Sequence, residues 1–202
     1  MDQVDGRRLR GDASRRVVLE RAADLASVEG LDGLSIGRLA DVVGMSKSGL
    51  FAHFGSKEEL QLATFEAARA LFDELVVAPA LELPTARERI RRLCDNYLQY
   101  VQDAFPGGCF FAAVLAEMDT RPGAVRDRAT AFMDEWLSLL TREIEGAQAE
   151  GAIRGDVDVA QLAFELEAFL FLANAQFVVL RAAGPIELAR RTIERRLASS
   201  AA

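Results

Sequence analysis

At 202 residues the chain has room for one or two domains, and with 50% apolar and 27% charged residues it can bury a core rather than stay disordered. Fifteen Gly, five Pro and 7% aromatics, without alternating Val/Ile/Thr runs, argue against a barrel or sandwich, and two Cys make no disulfide framework. The net charge of −7 argues against a nucleic-acid partner for the chain as a whole, yet residues 1–60 are nearly neutral and hold both lysines, Lys47 and Lys57.

No uninterrupted apolar run approaches the ~18 residues of a membrane span, and the polar N-terminus lacks a signal-peptide core. The expectation is a soluble, cytoplasmic, mostly helical protein with no membrane partner. In chain order, residues 1–13 mix Arg7, Arg8 and Arg10 with Asp2, Asp5 and Asp12 and read as a flexible arm. Val18, Ala22, Leu25 and Ala26 then keep helical period, with Ser14 as the cap and Gly30 as the stop. Two short helices follow, Ile36 to Val43 and Lys47 to Phe54, capped by Ser35 and Ser46 and stopped by Gly44 and Gly55. Ser56 and Glu59 have the spacing of a capping box, opening a long helix to about Pro79. Thr85 and Glu88 repeat that spacing before a helix that ends ahead of Pro106-Gly107-Gly108. A short helix over about 109–119 comes next, then one from Pro122 to Gly151, one from Asp158 to Ala183 and a last one from Gly184-Pro185 to about Leu197.

Residues 35–60 carry the motif. Two short helices meet at Gly44, which can take the positive φ of a tight turn, and small Ala40 lets them approach. Leu39, Val43, Met45 and Leu50 anchor the inner faces, the layout of a helix-turn-helix. The second helix starts with Ser46, Lys47, Ser48 and Gly49, small enough to let a helix end enter a major groove. Lys47 can reach a phosphate or a guanine edge, Phe51 can lie against sugar or a thymine methyl, and His53 and Lys57 are placed to clamp the backbone.

The string S-x-x-x-L-A-x-x-x-G-M-S-K-S-G-L-F-x-H-F-x-S-K-E-E-L resembles the DNA-binding domain of the TetR/AcrR family of transcriptional regulators. The resemblance implies that Lys47, Ser48, Gly49, Phe51, His53 and Lys57 contact DNA and that Ser35 meets a phosphate. Phe51 stands where that family usually has Tyr, so a hydroxyl contact to phosphate is absent. The helical remainder is similar to the family's ligand-binding and dimerisation domain.

The segment VAQLAFELEAFLFLANAQFVVL is apolar nearly all round and must be covered on more than one side. A second copy of the chain supplies that cover most simply, through Phe169, Phe177 and Leu180 with Ile193 of the last helix beside them, in a two-fold four-helix interface. Tyr97, Tyr100, Phe110, Phe111, Phe132 and Trp136 are expected to line an apolar cavity for a small organic ligand, with Asn96, Glu117 and Asn174 as its polar contacts. No residue set suits a metal, a phosphate-binding loop or catalysis, so no cofactor and no enzymatic activity are expected.

The fold expected is all-α, with an N-terminal three-helix helix-turn-helix DNA-binding domain over 14–60 and a ligand-binding and dimerisation domain over 61–202. The function expected is a ligand-responsive repressor that binds a palindromic operator in double-stranded DNA as a homodimer, two reading helices standing about 34–36 Å apart. The alternative is a helical small-molecule-binding protein without DNA binding.

Overall fold

The computed structural model describes the backbone of residues 2–118 and 122–202 and the side chains of residues 15–117 and 122–202. Helices α1 (Asp2–Glu29), α2 (Ile36–Val43) and α3 (Lys47–Phe54) form a head. Helices α4 (Lys57–Phe72), α5 (Ala78–Leu81), α6 (Ala86–Asp103), α7 (Phe110–Met118), α8 (Ala124–Ala149), α9 (Val159–Leu180) and α10 (Gly184–Ser199) build the body. The all-α expectation holds.

Caps decide most boundaries. Ser35, Ser46, Ser56, Thr85 and Asp158 each accept a hydrogen bond from the amide three residues on, filling an orphan donor of the helix they start. At Thr85 the capping box is complete, because Glu88 returns the contact. Gly30 and Gly44 close α1 and α2 at φ 81° and 68°, a region that strains any residue with a Cβ.

Four boundaries differ from expectation. Helix α1 begins at Asp2 and not at Ser14, so the segment read as an arm continues the helical backbone. No proline interrupts residues 2–29, and Asp2 and Asp5 suit the first turn of a helix. Helix α8 starts after Gly123, one residue beyond Pro122, and α9 ends at Arg181, which takes φ 51°. The long helix from Ser56 also passes Pro79. Its α register widens over Asp73–Val77 into a π-turn, with Ala78 N–H bonded to Asp73 O. Pro79 has no N–H, and its ring crowds the carbonyl four residues back, which is why the widening falls just before it. Asn96 Nδ2 donates to Val76 O at 3.0 Å and satisfies a carbonyl within that turn.

Helix α4 joins the two halves. It packs against α1 and α3 on one side and α8 on the other, so the border expected after residue 60 falls inside a continuous helix. In the body, α6, α8 and α9 pack on one another and α10 lies along α9. Helix α9 is long and apolar enough, by length and composition, to cross a membrane, a test that soluble core helices also pass. Its inner side is taken up by α6, α8 and α10.

Candidate nucleic-acid interface and ligand cavity

Helix α3 turns Leu50 and Phe54 into the core and leaves Ser46, Lys47, Ser48, Phe51, Ala52 and His53 exposed. The side chain of Lys47 has no ion-pair partner among the described residues, and its Cε and Nζ lie 3.5 and 3.6 Å from where a Cβ on Gly37 would stand. The stem therefore rests on α2 while the ammonium stays in solvent. Ser35 and Ser46 serve first as helix caps, on the amides of Arg38 at 3.2 Å and Gly49 at 3.1 Å. An accepting hydroxyl still has its own proton to donate, so capping leaves both able to reach a phosphate. Arg15, absent from the expected set, holds α3 from behind. Its Nη1 donates to His53 O at 2.8 Å, and its guanidinium sits 4.5 Å from the Phe54 ring centroid.

The loop between α1 and α2 makes several of its backbone hydrogen bonds to side chains of other elements. Glu117, at the end of α7, accepts from Leu31 N at 2.7 Å and Asp32 N at 3.0 Å. Gln61 donates to Leu31 O at 2.7 Å, and Lys57 donates to Asp32 O at 2.6 Å and to Asp32 Oδ1 at 3.0 Å. Glu117 is not among the residues lining the slot or the cleft, and it supplies the acceptor that the loop amides would otherwise lack. Lys57 braces the head loop, and two of its three N–H donors are already engaged.

The aromatic residues form one connected core. Phe72 lies edge-on to Tyr97, Tyr100, Phe111, Phe132 and Trp136, with centroids 5.2–6.2 Å apart. Within it Tyr97, Phe111, Phe132 and Trp136 line a narrow slot of about 20 Å³, room for about one water. Beyond Phe72, Phe132 and Trp136 an open cleft of about 520 Å³ lies between α4, the π-turn and α8.

The other residues expected to line a cavity make contacts within the fold. Phe110 is packed among Phe65, Phe105 and Phe111. Asn96 serves the π-turn, and Asn174 Oδ1 accepts from Cys109 N at 2.8 Å, fixing the loop before α7. Tyr100 is buried outside the slot, and its hydroxyl has no hydrogen-bond partner among the described residues. The polar residue that does line the slot is Glu167, which accepts from Trp136 Nε1 at 2.6 Å. Burial pushes its carboxyl above the ordinary range, against the pull of the indole N–H. A sequence signal existed: Glu165 and Glu167, two apart on an apolar helix, point to nearly opposite sides. Glu165 pairs with Arg196 of α10, which leaves Glu167 facing inward. Cys94 and Cys109 are buried, and burial raises both thiols, which disfavours the reactive thiolate.

The outer side of α9 has an unbroken apolar stripe. Phe164 (68% exposed), Ala168, Phe171, Leu172, Ala175 and Val179 (79% exposed) recur at helical spacing, with Leu180 at its end. Leu188, Arg191 and Arg195 expose the matching side of α10, and neither arginine has an ion-pair partner among the described residues. Phe169 and Phe177 are instead half-buried against the core, and Ile193 is only 3% exposed, packed beneath the outer face. An apolar face of this extent on one helix is unusual for a lone chain.

Comparison with known proteins agrees with this architecture. The family described as bacterial regulatory proteins, tetR family, matches residues 18–64, and the tetracyclin repressor-like C-terminal domain matches residues 86–193. The HTH-type transcriptional repressor NicS of Pseudomonas putida is 24% identical over 184 residues, 88% of this chain and 84% of that protein. A TetR transcriptional regulator from Chloroflexus aurantiacus superposes with a TM-score of 0.83 at 27% identity, covering 95% of this chain and 98% of that one. A cysteine mutant of the TetR family regulator CifR, solved with 26 bp double-strand operator DNA, gives a TM-score of 0.74 at 27% identity over 91% of this chain and 94% of that one. The match reaches from the helix-turn-helix of the head through more than half of the chain in the body alone, and so the chain belongs to the tetR family of bacterial regulatory proteins.

Proposed function

We propose that the protein is a cytoplasmic, ligand-responsive transcriptional repressor that binds a palindromic operator as a homodimer. The observation that carries this reading is the exposed N-terminus of α3, with Ser46, Lys47 and Ser48 in solvent, on a chain similar to a regulator solved with operator DNA. The helix end offers backbone amides and positive dipole to phosphate, Lys47 offers a cation, and Phe51 offers an apolar ring to sugar or a thymine methyl. Gly49, half-buried, allows close approach of the groove wall. His53 flanks this surface, and Ser35 offers its hydroxyl to phosphate from the start of α2. The outer stripe of α9, with α10, is the surface on which a second copy docks and sets the distance between the two α3 helices.

Ligand response follows from α7. Phe111, Ala112 and Leu115 of this helix line the slot, and Glu117 on the same helix holds the head loop. A ligand that widens the slot displaces α7 and, through it, the loop that leads into α2. Operator and ligand then weaken each other's binding by the same factor.

In-vitro selection of bound DNA, followed by anisotropy titration across salt, tests the reading. Binding must be palindromic and must weaken steeply with salt. Lys47→Ala is expected to weaken binding and to lower the log–log salt slope by about one for each subunit's lost phosphate contact. Absent or salt-insensitive binding would instead favour a helical ligand carrier without DNA binding.

A further inference from the structure

The slot and the cleft outside it share the wall made by Phe72, Phe132 and Trp136. Their charges have one sign in excess. Of the residues lining the slot, Glu167, Tyr97 and Cys109 are ionisable, and burial holds the phenol and the thiol protonated. Glu167 is thus the one group there that can carry charge, and it can carry only a negative one. The rim of the cleft sets Asp73, Asp134 and Glu135 against Arg69 and Arg142. Arg69 is already committed, 3.5 Å from Asp73 and 2.7 Å from Glu135. An anionic ligand would cross a rim with one carboxylate in excess and meet a half-buried carboxylate that has no cation beside it among the described residues. A cationic ligand would be drawn inward along the same route. Aromatic faces around a desolvated positive charge add attraction of their own.

We propose that the slot, opened from the cleft, takes an organic ammonium ion carrying an aromatic or alkyl group, with Phe72, Tyr97, Phe132 and Trp136 around it and Glu167 as its counter-ion. The proposal rests on the reading of the slot as the effector site and names the chemical class of the effector. An arriving cation favours the charged carboxylate that burial disfavours, whereas an arriving carboxylate would add a second negative charge to the same apolar site. Glu167 also orients the indole, so the wall and the counter-ion form one unit.

Trp136 is the single tryptophan of the chain, so its fluorescence reports on the slot and on the cleft that shares its wall, and the Glu167→Gln variant tells the two apart. The full-length protein is titrated with phenethylammonium, phenylacetate and 2-phenylethanol, which share a ring and differ in the head group. The ammonium probe is expected to change Trp136 emission saturably and to bind about tenfold more tightly than phenylacetate. Glu167→Gln, whose amide oxygen can still accept from Trp136, should erase that preference and keep the response to 2-phenylethanol. Glu165→Gln, on the opposite side of α9, should leave the preference intact. Phenylacetate binding as tightly as the ammonium, a preference that survives Glu167→Gln, or no saturable response to any probe overturns the proposal. The ranking in the unaltered chain decides the matter even if the glutamine variant does not fold. Release of operator by the ammonium probe is read separately by anisotropy. Ranked binding without release would remove the effector role and uphold the charge class, whereas release with the opposite ranking would do the reverse.

Discussion

Phe171→Glu is expected to give a folded monomer in light scattering and to abolish tight operator binding. Phe171 stands in the middle of the outer stripe of α9, between Phe164 and Val179, 44% exposed in the single chain, with its inner edge on the slot. Its exposed part contributes nothing to the fold of one copy, so circular dichroism should keep its helical signature while the thermal midpoint falls modestly through the lost slot contact. In a two-fold interface the same position occurs twice. The substitution removes two aromatic anchors, each worth roughly 1.5–3 kcal/mol when buried. It also brings two like-charged carboxylates into a dry contact. Each copy then carries one reading helix, and the affinity gained from holding two half-sites together is lost. The paired control is Phe169→Glu, which is half-buried against the core and should unfold the body instead of dissociating it. A Phe171→Glu protein that remains dimeric and binds its palindrome unchanged would place the interface elsewhere.

The second large effect is expected from Gly107→Ala. Gly107 lies in the turn between α6 and α7 and donates its N–H to Ser27 Oγ at 3.1 Å. A Cβ there would stand 1.9 Å from Ser27 O and 2.4 Å from Ser27 C, both backbone atoms of α1. No side-chain rotation relieves that overlap, so α1 or the turn must move. The turn has little freedom to move, because Arg181 Nη1 donates to Pro106 O at 3.0 Å and Asn174 holds Cys109 N. Overpacking of this kind costs on the order of 1–3 kcal/mol, which in a chain of this size lowers Tm by roughly 2–12 °C. Operator affinity should fall as well, since α1 supports the head. Gly155→Ala is the control: a Cβ there meets nothing within 4 Å, and Tm should stay within about a degree. A Gly107→Ala protein as stable as that control would mean that α1 and the turn separate at little cost.

Much of this architecture was legible before the structure, because it is written in local chemistry. The starts of α2, α3, α4, α6 and α9 were marked by a Ser, Thr or Asp side chain that reaches an amide three residues away. The α2–α3 turn was legible because Gly44 and the caps all lie within one short stretch. What local chemistry cannot carry is the identity of distant partners. Glu117 and Asn174 are polar residues beside an aromatic cluster, and a cavity role was the natural expectation. Their partners are backbone amides 86, 85 and 65 positions away in the chain. The face of α9 was illegible for a different reason. A helix apolar on all sides has no moment to orient it, so Phe169 and Phe171 could not be told apart until α6, α8 and α10 had claimed their side. The π-turn escaped notice because the effect of Pro79 is felt upstream, in the register of the residues before it.

The grip of Glu117 on the loop at Leu31 and Asp32 bears on how such proteins can be recombined. Head and body look like modules, and exchanging heads between relatives is an obvious route to new pairings of operator and inducer. Here the seam is not neutral ground, because the body lends the head a carboxylate that the head cannot replace from its own residues. A chimaera that carries this head on a foreign body keeps its docking only if the recipient offers an acceptor at the end of its own α7. The compatibility of two parents can therefore be judged first at this position, and then at those of Gln61 and Gly107, before any chimaera is made.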